Sequence, residues 1–285
     1  MKKLSIAMLI TLLSFALVTG CSNNGGSIEE NKTDTETGTT TVSGEIVAGG
    51  STSTKNIMEA TLDEFTALNP DVTAEYNATG SSDGVKNADS GVYQIGTASR
   101  NIKEEEKALN LTEKIFAYDG IAAIVNPANE IKDITVEQLA QIYKGEITNW
   151  KDLGGEDAQI VVVSREDGSG TRGAFEEIVG FEEKLTANAT IAEGNGNVQS
   201  TVAENENAIG YVSFTYINDT IKALTVEGVE ATTDNVLNET YKVSRPFVMV
   251  YQDKNLNDAG KAYIEFLMGA EGQAIVEEEG GIPVK

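Results

Sequence analysis

Short runs rich in branched apolar residues alternate along this chain with longer stretches whose apolar positions recur at helical spacing. The runs at 44–47, 72–76, 120–125, 160–164, 209–214 and 245–251 read as strands. Between the first two, Ile57, Thr61, Phe65 and Leu68 fall on one helical face with Met58 and Leu62 beside them. Thr135 and Gln138 make a candidate capping box ahead of Leu139, Ile142 and Tyr143. Near the end Ala259, Ala262, Tyr263, Phe266 and Leu267 step along one face, and Gly269 stands where a C-cap would. Strands alternating with amphipathic helices predict an α/β fold. Periodicity alone leaves open whether one sheet or two carries the helices, and no repeat of roughly 20–50 residues suggests a solenoid.

The first residues follow a different pattern. Lys2 and Lys3 precede an apolar run over 4–18, which is shorter than the roughly 20 residues needed to span a bilayer and fits a secretory signal. It ends in Val18-Thr19-Gly20-Cys21, which resembles the lipobox of bacterial lipoproteins. Residues 1–20 are therefore expected to be a signal peptide and Cys21 the lipidated residue. A flexible tether is expected over 21–43, because its Asn, Gly, Ser, Glu, Asp and Thr residues have too little apolar surface to bury. The remaining roughly 240 residues suffice for one large domain or two medium ones.

Composition then removes functions. The chain has no histidine and a single cysteine, so Ser-His-Asp and Cys-His hydrolysis, histidine metal sites, cysteine clusters and intrachain disulfides are excluded. A Ser-Lys dyad or a carboxylate pair would remain for an enzyme, but the accompanying motifs of Ser-Lys acyl enzymes are not evident. Neither an enzymatic activity nor a cofactor is expected. Forty-five acidic against 21 basic residues make nucleic acid an improbable partner.

Three stretches place glycines and hydroxyls between a strand and a helix: 49–54, 80–84 and 164–172. Such a turn presents backbone N–H groups at the positive end of a helix dipole, and glycine lets an anion come close. Any one of them would serve as a helix cap and tight turn. Three together, one carrying Arg165 with its bidentate fork, point to a tetrahedral oxyanion site. The phosphate loop of nucleotide-binding ATPases is not among them, since its lysine is missing. The Gly194-Asn195-Gly196-Asn197 tract reads as a loop.

Residues 164–171, Ser-Arg-Glu-Asp-Gly-Ser-Gly-Thr, resemble the R-x-D-G-S-G-T signature of PstS-type phosphate-binding proteins, the capture subunits of phosphate ABC importers. GGSTSTKNIME, IGTASR, YDGIAAIVNP, IYKGEITNWKDLGG, AIGYVSF and EGQAIVEEEGGIPV agree with it, so the resemblance runs from about residue 44 to residue 284. It implies a two-lobed periplasmic-binding-protein-like fold of type II, with the ligand cleft between lobes joined by two hinge strands. By position, 44–122 plus 232–285 would form lobe I and 123–231 lobe II. The strands at 120–125 and 245–251 would run near the hinge. The implied site takes donors from Thr52 and Ser53, assisted by Ser51, and from Ser81. Arg165 is its principal cation, oriented by Asp167, with Ser169, Gly170 and Thr171 completing the cage. Where relatives carry an aspartate that accepts the phosphate proton, this chain has Ser99, followed by Arg100. Discrimination against sulfate would then fall to Asp83 or a backbone carbonyl, or be looser. The implied ligand is inorganic phosphate, with sulfate, molybdate or a phosphonate as alternatives. The implied partners are the permease subunits of an ABC importer and, through Cys21, the lipid bilayer at the extracytoplasmic face of the cell membrane.

Overall fold

The signal-like segment, Cys21 and the tether as far as residue 41 lie outside residues 42–284, which the computed structural model describes. The span opens with β1 (Gly44–Gly50), α1 (Lys55–Leu68), β2 (Val72–Asn77), α2 (Ser81–Ser90), β3 (Ile95–Ala98) and the long β4 (Thr112–Val125). Then come β5 (Asp133–Ile134), α3 (Val136–Lys144), β6 (Val161–Arg165), α4 (Gly170–Val179), β7 (Thr190–Ala192), α5 (Gly194–Ala203) and β8 (Ala208–Ser213). It closes through β9 (Lys222–Ala223), β10 (Thr225–Val226), α6 (Thr233–Leu237), β11 (Ser244–Tyr251), α7 (Asp258–Met268), α8 (Ala270–Glu278) and β12 (Ile282–Pro283).

Local chemistry sets the helix ends. α1 buries Ile57, Met58, Thr61, Leu62 and Phe65 as one stripe, and the Thr61 hydroxyl is satisfied by the Ile57 carbonyl. α3 starts at the expected capping box: Thr135 Oγ1 accepts from the Gln138 N–H at 3.1 Å, and Gln138 Oε1 accepts from the Thr135 N–H at 2.9 Å. Gly269 is the C-cap expected, but not in the left-handed form. It sits at φ −80° in extended backbone and is at once the C-cap of α7 and the N-cap of α8. The chain therefore turns from one helix directly into the next, with no left-handed cap.

The strands line up in the order β2-β1-β3-β11-β4-β8-β6-β7. β1 runs parallel to β2 and β3, and β6 runs parallel to β7 and β8. β4 belongs to both ends. Its first part pairs antiparallel with β11, as far as Gly120 opposite Ser244, and from Ile121 onward it pairs with β8. Two cores meet along it: Ile46, Ile57, Phe65, Phe116, Phe247 and Tyr263 pack in the first, and Ile121, Tyr143, Trp150, Phe175, Phe181 and Tyr211 in the second. Val236, Tyr241 and Val243, which fall in lobe I by sequence position, pack with the second core. The chain therefore passes between cores over 117–121 and again over 243–247.

Gly120 sits at that crossing, and a Cβ there would fall 2.2 Å from the Phe214 ring. Gly120→Ala is expected to destabilise the protein by about 1–3 kcal/mol, the usual effect of overpacking, read as a lower denaturation midpoint. An unchanged midpoint would mean that Phe214 swings aside freely.

Candidate functional site

The three hydroxyl-rich turns meet. In the first, Gly50 adopts φ 137° against β3, where a Cβ would lie 2.2 Å from the Thr97 carbonyl oxygen, so only glycine fits. Ser51 is spent inside the turn: its N–H donates to Thr97 and its Oγ accepts from the Ser53 N–H at 3.1 Å. Tyr76 braces it from behind through a 2.7 Å hydrogen bond to the Ser51 carbonyl. Thr52 and Ser53 are left to face across.

Their partners come from the other half. Ser53 Oγ lies 2.8 Å from Thr171 Oγ1, and Arg165 Nη2 donates to Thr52 Oγ1 at 3.1 Å. In the second turn Ser81, fully buried, accepts from the Ser99 N–H at 3.1 Å, and the two hydroxyl oxygens are 3.4 Å apart. A Cβ on Gly170 would stand 2.2 Å from Ser81 Oγ and 2.7 Å from Ser99 Oγ, so the third turn abuts both hydroxyls through its bare backbone. At the rim the Ser82 N–H donates to the Gly168 carbonyl at 3.2 Å. Ser169 acts as the α4 N-cap, accepting from the Arg172 N–H.

Arg165 is 1% exposed. Its partner is Glu166, which takes Nε at 2.8 Å and Nη2 at 2.6 Å as a two-pronged pair. Asp167, expected in that role, points outward and pairs with Arg172 at 2.7 Å, because the residue two past the strand lies on the solvent side of the turn. Asp83 is likewise exposed on the first turn of α2, opposite the buried Ser81, Gly84 and Val85 face, and does not join the cluster. Arg100 is buried, but both its Nη atoms engage Glu106 at 2.7 Å and Nη2 also holds Ser82, so it braces the second turn from outside.

Three further residues enter the site. The 194–197 tract, expected as a loop, begins α5, and the buried Asn195 Nδ2 donates to Thr52 Oγ1 and Ser53 Oγ at 3.1 and 3.0 Å. This is a fourth strand-to-helix turn, disguised by polar residues that carry little helical periodicity. Arg245, 4% exposed on β11, pairs with fully buried Asp119 opposite it on β4 and donates to Ser53 Oγ at 3.0 Å. Its signal in the sequence was an arginine inside an otherwise apolar strand. Among the described residues, Arg165 Nη1 and Arg245 Nη1 are buried without a hydrogen-bond partner. Buried donors are nearly always paired, so both nitrogens mark a place where an acceptor belongs. No group of three or more carboxylate, cysteine or histidine residues is placed to hold a metal ion among the described residues.

A two-lobed binding protein whose helix N-termini converge on buried guanidinium N–H groups is the class these features define. The comparisons agree. Residues 35–271 match the model of the PBP superfamily domain, and the phosphate-binding protein PstS of Bacillus subtilis is 30% identical over 288 residues, covering 100% of this chain and 95% of its own length. A crystal structure from Clostridium perfringens, of a substrate-binding protein assigned to a phosphate ABC transporter and holding phosphate, is 55% identical with a TM-score of 0.84 over 85% of this chain and all of that one. An ABC-type phosphate transport receptor from Vibrio cholerae is 34% identical, with a TM-score of 0.72 over the same shares. The chain belongs to the PBP superfamily and, within it, to the PstS-type phosphate-binding proteins.

Burial raises the Glu166 carboxyl, but the Arg165 guanidinium and the Gly194 N–H outweigh it and hold the carboxyl below its ordinary 4.5. A depressed carboxyl contributes stability that is present above its unfolded value and lost as pH falls through the folded one. Glu166→Gln should therefore lower the urea midpoint at neutral pH, and the difference should shrink as the pH falls below the ordinary carboxyl range. Equal losses at neutral and acid pH would remove the ion pair from the account.

Proposed function

We propose that this chain is an extracytoplasmic solute-binding protein that captures inorganic phosphate between its lobes and passes it, chemically unchanged, to the permease of an ABC importer. The observation that carries this reading is the partnerless Arg165 Nη1, buried where Thr52, Ser53, Ser81 and Ser99 of one half meet Gly170 and Thr171 of the other. Donors from both sides of a cleft suit a ligand with acceptors on every face, and a tetrahedral oxyanion is one. The phosphate-bound relative at 55% identity supports phosphate as that ion.

In this reading Arg165 is the principal cation, with Glu166 in the orienting role. Thr52, Ser53, Ser81, Ser99, Gly170 and Thr171 supply hydroxyl and amide donors, while Ser51 and Ser169 shape their turns. No catalytic group is needed. Each charge-assisted hydrogen bond contributes roughly 1.5–3 kcal/mol, and micromolar affinity needs only about 8 kcal/mol net. Four or five such contacts are ample even after the losses of association. We take lobe I as 44–120 with 244–285 and lobe II as 121–243, following the two cores. Acylation at Cys21 would keep the protein at the membrane, two chains holding firmly where one would not.

Calorimetry on ligand-stripped protein should give saturable one-to-one phosphate binding, and Arg165→Ala should weaken it by about 10- to 100-fold or more, the worth of one or more charge-assisted contacts. No heat with phosphate would defeat the proposal. Another oxyanion is the second reading, because Ser99 carries no charge with which to refuse a fully ionised ligand. Sulfate displacing phosphate at comparable concentrations and matched ionic strength would favour it.

Fractionation tests the anchor separately. Cys21→Ser should move the protein from the membrane into the soluble fraction; retention on the membrane would rule out lipidation at this cysteine.

A further inference from the structure

We propose that Arg245, carried on the strand that crosses between the lobes, is a second ligand-contacting guanidinium beside Arg165, in a site whose helix ends favour its tetrahedral oxyanion as the dianion. This rests on the oxyanion-binding reading above and goes beyond it in naming the residue and the charge state.

Arg245 is no bystander in the strand. Asp119 closes its outer side by accepting from Nε at 3.1 Å and Nη2 at 2.8 Å, and Nη2 also reaches Ser53 Oγ. Ser53 is the hydroxyl that touches Thr171 and Asn195 from the opposite half, so Arg245 stands one atom behind the place where the turns meet. Its remaining nitrogen, Nη1, is buried and partnerless, as is that of Arg165. The two cations are near enough that the charge of Arg165 opposes that of Arg245. A shared anion between them relieves the repulsion and satisfies both donors.

Charge counting gives the ionic form. Asp119 neutralises Arg245 and Glu166 neutralises Arg165. What remains positive is the set of N-termini of α1, α2, α4 and α5, each equivalent to about half a charge, or about two in all. Both carboxylates are also engaged elsewhere: Asp119 Oδ1 accepts from the Phe214 N–H, and Glu166 Oε2 from the Gly194 N–H. A dianion matches this surplus, and its single proton can rest on a hydroxyl oxygen.

The titratable groups facing the two guanidiniums are Asp119 on β4, Glu166 after β6, Tyr211 on β8, Tyr216 beyond it and Tyr241 ahead of β11, with Glu176 behind Tyr211. Burial pushes the phenols up, Tyr211 to about 12, and Glu166 is held below 4.5. Only Asp119, raised by burial against the pull of Arg245, needs a control.

The experiment is phosphate calorimetry near about pH 6 and about pH 8, between which a phosphate group gains most of its second charge. The proteins are the unsubstituted chain, Asp119→Asn, and the double variant Asp119→Asn with Arg245→Gln, which leaves no unpaired carboxylate behind. The unsubstituted chain and Asp119→Asn should both bind more tightly at the higher pH. The double variant should bind about 10- to 100-fold more weakly than Asp119→Asn at both pH values, as for the loss of one charge-assisted contact, and keep the preference for the higher pH that the helix ends set. Full affinity in the double variant, tighter binding at the lower pH, or loss of the preference in Asp119→Asn alone would each overturn the proposal. A total absence of phosphate binding by the unsubstituted chain would instead overturn the oxyanion reading beneath it.

Discussion

Two of the three guanidinium groups buried among the described residues, those of Arg165 and Arg245, lie at the site of a chain of formal charge −24, and the rest of the site is arranged to make that tolerable. Taking a cation out of water costs several kcal/mol unless it is paired and its donors are met. Glu166 and Asp119 meet that need on one side of each arginine, and Thr52 and Ser53 take further N–H bonds. One nitrogen of each is left over. A site that stopped at this point would be destabilised by two unmet donors, so the closed arrangement is most favourable with an anion between them. Ligand and closure then become one equilibrium, since the anion binds best in the state that brings both halves' donors together.

The strand architecture makes such coupling possible. β4 is half-exposed where it begins and becomes buried on both faces after Asp119, as a strand does when it leaves a sheet edge for a sheet centre. Asp119 and Arg245 face each other across β4 and β11 one residue from the point where both strands change core. An ion pair at that point belongs to neither lobe alone. A ligand bound at the far nitrogen of Arg245, as proposed, would meet the protein at the crossing itself.

Much of this could be read from the residues, and the reasons for the exceptions are physical. The three turns were visible because glycine and hydroxyl residues are contiguous there and bracketed by strand and helix patterns. Arg165 was visible because it lies in one of them. Its true partner was not. Glu166 and Asp167 are adjacent carboxylates, and only the twist of the chain leaving β6 decides which faces inward. The contacts of Asn195 and Arg245 were hidden for a stronger reason: each reaches Ser53 from more than 140 positions away, and even an arginine noticed in an apolar strand does not report its partner. Ser51 and Ser169 show the opposite error. Residues suited to bind an anion are equally suited to cap a turn, and here the backbone claims their oxygens first.

The overall acidity does not contradict an anion site, because distance and solvent separate the two. At physiological salt charges are screened over about 8 Å, and most of the carboxylates are exposed. The inward-facing groups act through contact in a dry interior, where each is worth far more. Acidity sets a different condition. Long-range attraction cannot gather the ligand, so capture has to depend on what happens after encounter, when N–H groups from both halves close on it. A receptor built as proposed would give up electrostatic steering and keep selectivity, since a monovalent halide or a carboxylate cannot satisfy donors converging from several helix ends and an arginine at once.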